Sequence, residues 1–302
     1  MWFLFALLTA FAWGAADLFY KKGSHPEDRY SHIKIVIMVG LVMGIHGISY
    51  MLIEGIDFQP LDMVRYLPVS ALYILSMTLG YIGLRYMELS IASPVQNSSG
   101  AVTTILLFIF FTHVLSGIQV AGIILITGGV VMIAFLEKRQ ELQALQAGPA
   151  ALDKKYQIGV MAILFPILYC IIDGLGTFAD GIYLDELSLI SEDSALLAYE
   201  FTFFICAVIG YTYLKFVKKQ SFNLFRERVK GYAAIFETIG QFFYVFAMAN
   251  NAIIAAPLIA SYSIFSVILS RIFLKERLSK LQYAVVVVVM IGIALLGIAD
   301  EL

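Results

Sequence analysis

Five titratable side chains stand inside long apolar runs of this sequence: Asp17, His46, Asp173, Glu200 and Glu237. An ionisable group at membrane depth costs at least about 2.5–3.5 kcal/mol on insertion scales, so each needs a partner, a water-filled cavity or a function. Glu237, Gln241 and Tyr244 recur at spacings of four and three, which places them on one face of a helix. A polar stripe on an otherwise apolar helix faces protein or water rather than lipid, so it is assigned to a solute path, with interhelical hydrogen bonding as the alternative. Glu200 lies between Tyr199 and Phe201, and Glu200 and Glu237 are the leading candidates for proton coupling. His46, in Gly44-Ile45-His46-Gly47, is the third; a lone histidine is more often a hydrogen-bonded packing residue.

Asp17 closes the run Trp13-Gly14-Ala15-Ala16-Asp17, whose small residues permit close helix approach. Asp173 sits between Tyr169 and Gly174-Leu175-Gly176, with Pro166 upstream, and this composition predicts a kinked or broken helix. Both acids are read as cavity gates or solute ligands, against the plainer reading of acids at the wet ends of their helices. Gln96-Asn97-Ser98-Ser99 follows Pro94, where a helix N-terminus offers free backbone donors to a carbonyl or anionic group; helix capping explains Asn97 equally well. Tyr262 holds the corresponding region further along the chain. No grouping has the spacing of a metal site, a phosphate loop or a catalytic triad, and Cys170 and Cys206 both fall in apolar runs as packing residues. No cofactor and no enzyme chemistry are expected.

The elements that position these residues follow from composition. The 302 residues are 61% hydrophobic and 14% charged, against about 25% charged in soluble domains. A chain this apolar cannot cover a water-facing surface, which excludes a soluble enzyme, a disulfide scaffold and a nucleic-acid module. A bilayer core of about 30 Å takes roughly 20 apolar residues per helix, and ten such stretches are present: 2–20, 33–53, 67–87, 92–112, 117–136, 157–179, 194–217, 231–250, 254–274 and 281–299. Segments such as Val285 to Ile291 are apolar on every side, unlike barrel strands.

Ten crossings would put Lys21, Lys22, Arg29, Lys34, Arg85, Lys138, Lys154, Lys155, Lys215, Lys230 and Arg271 on one face and only Arg65 on the other. The second face carries Glu54, Asp57, Asp62, Asp180, Asp185, Glu186, Glu192, Asp193, Asp300 and Glu301. The positive-inside rule then makes the basic loops cytoplasmic and both termini external, in a multi-pass protein of the plasma membrane. Arg85 and Arg271 lie near enough to helix ends to snorkel. Residues 137–156 form a charged linker, short-helical or disordered, between a first half (1–136) and a second (157–302).

The halves resemble each other. At an offset of 163, Pro94 meets Pro257, Tyr81 meets Tyr244, Ser98 meets Ser261, Gln119 meets Gln282 and Gly129 meets Gly292; at 156, Trp13 meets Tyr169 and Asp17 meets Asp173. Five crossings per half is an odd number, so a true repeat is inverted.

Phe11-Ala12-Trp13-Gly14, Ala92-Ser93-Pro94, Ala255-Ala256-Pro257 and Phe273-Leu274-Lys275-Glu276-Arg277-Leu278-Ser279 resemble the EamA-repeat family of the drug/metabolite transporter superfamily. The resemblance implies an all-α polytopic membrane protein of ten transmembrane helices in two inverted five-helix repeats, with a central cavity and no cofactor. It also implies termini in the cytoplasm, opposite to the charge reading. The expected function is secondary active transport by alternating access, through a cavity built from the first, fourth, sixth, eighth and ninth crossings. Substrate-binding candidates are Trp13, Asp17, Asn97, Tyr169, Asp173, Glu237, Gln241, Tyr244 and Tyr262; Glu200, Glu237 and His46 are the proton-coupling candidates. Acids outnumber bases at membrane depth, which favours an amine-bearing cationic or zwitterionic solute. A neutral or anionic solute, and a non-transporting membrane interaction protein, are the alternatives. The expected partners are the solute, the lipid bilayer and protons, with no nucleic acid, in a monomer or homodimer.

Overall fold

Apolar side chains on every side leave the backbone to satisfy its own hydrogen bonds, and the helix does this within one segment. The structure, a computed structural model, describes residues 1–25, 27–85, 89–146, 159–276 and 278–301. Their regular structure is all helical, with no strand among them. Residues 147–156 of the linker, with Lys154 and Lys155, the two residues after it, and Arg277 lie outside the described residues.

The helices are α1 (Trp2–Gly23), α2 (Ser31–Glu54), α3 (Pro60–Arg65), α4 (Leu67–Gly83), α5 (Leu89–Asn97), α6 (Ser99–Phe110), α7 (Gly117–Gln146), α8 (Gly159–Gly181), α9 (Glu192–Thr212), α10 (Arg228–Ala260), α11 (Tyr262–Leu269) and α12 (Lys280–Glu301). Wider π turns extend α8 through Ile182–Glu186, α9 through Tyr213–Val217 and α11 through Ser270–Leu274. Local chemistry sets the ends. Gly55 closes α2 in the left-handed conformation (φ 65°), Pro60 and Pro68 stand at the starts of α3 and α4, and the Ser191 side chain accepts from the Ser194 amide at the start of α9.

Seven helices among the described residues are long and apolar enough to cross a bilayer, where the sequence reads as ten stretches. The difference lies in three places. Leu67–Gly83 is apolar but shorter, the 92–112 stretch is divided between α5 and α6 at Ser98, and Arg228–Leu274 runs as one 47-residue apolar body where two crossings are expected. That body breaks at Asn251, whose backbone is non-helical (φ −170°, ψ 74°), and the Ala252 amide beside the break donates to Asp185 Oδ2 at 2.7 Å. By contrast α8, expected to be kinked or broken at Asp173, continues through it without a break. Its glycines serve packing instead: Gly174 faces Val102 and Gly176 faces Tyr73.

The packing pairs α1 with α10 and α4 with α8, α2 with α9, and α7 with α12; α6 lies on α8, and α11 lies on α1. Ile124, Phe135, Val287 and Ile291 point outward from α7 and α12, as lipid-facing residues do. At the end of the bundle where α1 finishes in Lys21 and Lys22, Lys34 pairs with Asp28 at 2.8 Å and with Glu227 at 3.3 Å, and Glu227 also pairs with Lys230. Burial alone would raise the Asp28 carboxyl, but the Lys34 ammonium and the Tyr30 amide outweigh it and hold it below its ordinary value.

Two expectations about charged groups are corrected. Arg85 does not snorkel: it is buried and donates to the carbonyl of Arg29, in the turn between α1 and α2, at 3.1 Å. Asp180 is not a surface acid. It is fully buried on the last turn of α8 and accepts a hydrogen bond from the Tyr66 hydroxyl, since α8 runs past the boundary expected at 179. Arg271, as expected, is exposed, and its Nε donates to the Tyr283 hydroxyl at 3.2 Å.

Candidate functional site

Helical spacing carries side chains from both halves into one central cavity. On α1, Trp13, Asp17 and Tyr20 follow one another at four and three residues; on α8, Tyr169, Asp173 and Thr177 do so at four and four; on α10, Glu237, Gln241 and Tyr244 do so at four and three. All nine expected solute-binding residues line this cavity: Trp13, Asp17, Asn97, Tyr169, Asp173, Glu237, Gln241, Tyr244 and Tyr262. It offers about 70 Å³ to the centres of water molecules, room for several waters at about 10–15 Å³ each.

Two of the three carboxylates are already engaged. Asp17 Oδ2 accepts from Ser93 Oγ at 2.6 Å and from Ser266 Oγ at 2.7 Å. Asp173 accepts from Ser76 Oγ at 3.1 Å and from Ser99 Oγ at 2.8 Å. Each acid thereby ties its helix to hydroxyls on others. Glu237 differs: its Oε2 has one long hydrogen bond, 3.4 Å from the Tyr20 hydroxyl, although the residue is only 7% exposed. An ionised carboxylate can accept about four hydrogen bonds, so most of its capacity is open to the cavity.

Aromatic groups form much of the wall. Trp13 stacks on Tyr244 with centroids 5.1 Å apart, meets Tyr262 edge-on at 5.7 Å, and donates its indole N–H to the Glu237 carbonyl at 3.3 Å. The ring fits only because residue 240 is glycine; a Cβ there would lie 2.3 Å from Trp13 Cδ1. Tyr81 donates to Tyr20 at 3.1 Å, Tyr73 donates to Thr177 at 3.0 Å and is hydrogen-bonded to Tyr244, and Tyr199 contacts Met77 Sδ at 3.1 Å. Gln96 Nε2 is buried with no hydrogen-bond partner among the described residues. Asn97 donates its amide N–H groups to the Ser93 carbonyl at 2.9 Å and the Ser93 hydroxyl at 3.1 Å, and no side chain caps the start of α6.

No lysine, arginine or histidine is among the described residues lining the cavity, and no group of three or more His, Cys, Asp or Glu among the described residues could hold a metal ion. Sequence reasoning left out Tyr20, Tyr73, Met77, Thr177 and Tyr199. They bring the third and seventh expected crossings into the wall, beyond the five that were expected. Their signal was present in part: Tyr73, Met77, Gly80, Tyr81 and Leu84 repeat at helical spacing along α4, but in an apolar helix this stripe reads as ordinary packing. Two of the three proton-coupling candidates lie elsewhere. Glu200 and His46 pair with each other between α9 and α2, away from the cavity wall.

The EamA-like transporter family matches residues 1–135 and 160–298, on both sides of the linker. This chain belongs to the EamA-like transporter family. It is therefore a transporter of the drug/metabolite type, embedded in a membrane through several helices and acting on a small-molecule solute. A solved structure titled "Crystal structure of protein" is similar in fold, with a TM-score of 0.66 at 13% identity over 99% of this chain and 96% of that one. No curated protein matches the sequence.

Proposed function

We propose that this EamA transporter carries a small amine-bearing solute, cationic or zwitterionic, through the central cavity by alternating access, with protons as the coupling ion. The observation that carries the solute class is Glu237: a buried carboxylate with one long hydrogen bond, facing a cavity walled by tyrosines and Trp13 and lined, among the described residues, by no basic group. A cation there gains a charge-assisted hydrogen bond and aromatic faces together. The Gln96 amide, without a partner among the described residues, and the nearby Gln241 side chain give a second polar end of the solute, such as a carboxylate or carbonyl, something to meet.

Ten crossings in two inverted halves complete the proposal. The packing supports this, because exchanging the halves maps α1 against α10 onto α8 against α4, α6 against α8 onto α11 against α1, and α2–α9 and α7–α12 onto themselves. We place the protein in the plasma membrane with the basic face cytoplasmic and both termini outside, on the charge asymmetry of the loops. Each half would rock about the fixed site.

The test is thermal stabilisation of the purified protein by a panel of amines, amino acids, sugars and organic anions, since a ligand that binds only the folded state raises its stability. Stabilisation by amines that is lost in Glu237→Gln supports the proposal. Stabilisation confined to sugars or anions would overturn the solute class and leave the family intact.

A further inference from the structure

One buried carboxylate has no part in the cavity. Glu200 lies on α9 with its side chain wholly buried, and its two carboxylate oxygens stand 2.8 and 3.0 Å from Nδ1 of His46 on α2. The carboxylate reaches α2 because residue 47 is glycine; a Cβ there would lie 2.9 Å from Glu200 Oε2. The His46 side chain is 33% exposed, stacks parallel on Tyr50 with centroids 5.9 Å apart and meets the edge of Phe242 at 6.0 Å. One turn further along α2 the Tyr50 hydroxyl donates to Asp193 at 2.8 Å, in the first turn of α9. Glu200, His46, Tyr50 and Asp193 thus form a file between the same two helices, from a buried interior position to the acidic start of α9.

The surroundings offer Glu200 no other counter-charge. On α2 the further groups are His32, Lys34, Tyr50 and Glu54, Lys34 being paired with Asp28 and Glu227, and on α9 itself Glu192, Asp193, Tyr199, Cys206 and Tyr211. On α3, Asp62 and Arg65 pair with each other at 3.1 Å. Tyr73 on α4, and Glu237 and Tyr244 on α10, line the cavity. Among the described residues, His46 is the only basic group within ion-pair distance of Glu200, and it supplies a counter-charge when protonated.

Such a pair holds together while carboxylate and imidazolium balance each other. One proton taken from the aqueous phase by the carboxylate turns the pair into a carboxylic acid beside an imidazolium; the attraction is lost and a single positive charge remains. Releasing that proton to water restores the pair. Tyr199, the residue before Glu200 on α9, lines the solute cavity, so a change in how α9 lies against α2 reaches the cavity wall directly.

We propose that the Glu200–His46 pair is a proton-binding site separate from the solute cavity, and that its protonation repositions α9 and with it the Tyr199 wall of that cavity. The proposal rests on the transporter reading above and assigns the coupling ion to its own site between α2 and α9 instead of to Glu237.

The experiment uses the full-length protein in lipid nanodiscs. Trp2 and Trp13 are its two tryptophans, so Trp2→Phe leaves Trp13, in the cavity, as the reporter. Trp13 emission is expected to titrate with pH in the Trp2→Phe protein, to lose that step when Glu200→Gln is added, and to move its midpoint by about one pH unit or more with His46→Gln. Infrared difference spectra between acid and alkaline pH read protonation independently, and one carboxyl band is expected to vanish in Glu200→Gln. A Trp13 titration unchanged by Glu200→Gln would overturn the proposal, as would an unchanged set of carboxyl bands. A band lost with a flat Trp13 profile would overturn the link to the cavity. Where Glu200→Gln does not elute as a monodisperse species, His46→Gln, at the more exposed partner, carries both measurements. Binding of benzylamine at fixed pH tests the amine reading by itself, and its failure leaves the result at Glu200 standing.

Discussion

Two aromatic rings hold the cavity from opposite halves, and they are not equivalent. Trp13 on α1 lies over Gly240 of α10, and Tyr169 on α8 lies over Gly80 of α4; each stands a turn from an aspartate, Asp17 or Asp173, clamped by two serine hydroxyls. To this extent the halves repeat one design. At the offset of 163, however, Glu237 corresponds to Ile74 and Gln241 to Thr78, so an under-satisfied carboxylate faces the cavity beside Trp13 while its counterpart in the other half is an apolar side chain buried outside the cavity lining. The repeated features are bonded within the protein and hold helices together. The unrepeated one is left open to a ligand.

The largest expected effect comes from removing that asymmetry. Glu237→Gln takes away one charge-assisted hydrogen bond, worth about 1.5–3 kcal/mol, so amine affinity measured by calorimetry should fall by about 10- to 150-fold. Ile74→Val at the matched position should leave it unchanged. Equal losses at the two positions would break the distinction between the halves.

Next are the two glycines. An added Cβ at residue 240 would lie 2.3 Å from the Trp13 ring and at residue 80 would lie 2.9 Å from the Tyr169 ring. Overpacking costs about 1–3 kcal/mol, against about 1 kcal/mol gained from alanine in a helix. Gly240→Ala is therefore expected to lower the melting temperature and alter Trp13 emission, while Gly80→Ala stays near neutral.

Asp173→Asn should cost more stability than Asp17→Asn. Both serines of Asp17 donate to its Oδ2, so a carbonyl oxygen in that place keeps them, whereas those of Asp173 donate to different oxygens and one is lost, about 1 kcal/mol, read as a lower melting temperature with amine affinity changed far less than in Glu237→Gln. A loss of affinity confined to Asp17→Asn would make that acid a solute ligand and sharpen the asymmetry further. The smallest effects belong to the tyrosine hydroxyls: Tyr244→Phe and Tyr81→Phe each remove one hydroxyl contact, with Tyr73 and Tyr20 respectively, and should cost about 0.5–1 kcal/mol in thermal denaturation.

The membrane class, the family and the acids that line the cavity were legible in the sequence, because a charge in an apolar run is conspicuous whatever surrounds it. The stripe Glu237-Gln241-Tyr244 and the pairing of Trp13 with Tyr169 came from helical spacing and offset alone. Their convergence on one cavity, the dispersal of the third and seventh stretches into its wall, and the burial of Asp180 and Arg85 were decided by contacts between helices far apart in the chain. Glu200 marks the limit most plainly. Its type and its aromatic neighbours identified a candidate proton site, but its partner His46 lies 154 positions away, and only the packing of α9 on α2, opened by the missing side chain of Gly47, brings the two within 2.8 Å. Helical spacing along one segment is encoded locally and can be read locally; which face meets which depends on the packing of all the helices together, and no single segment contains that information.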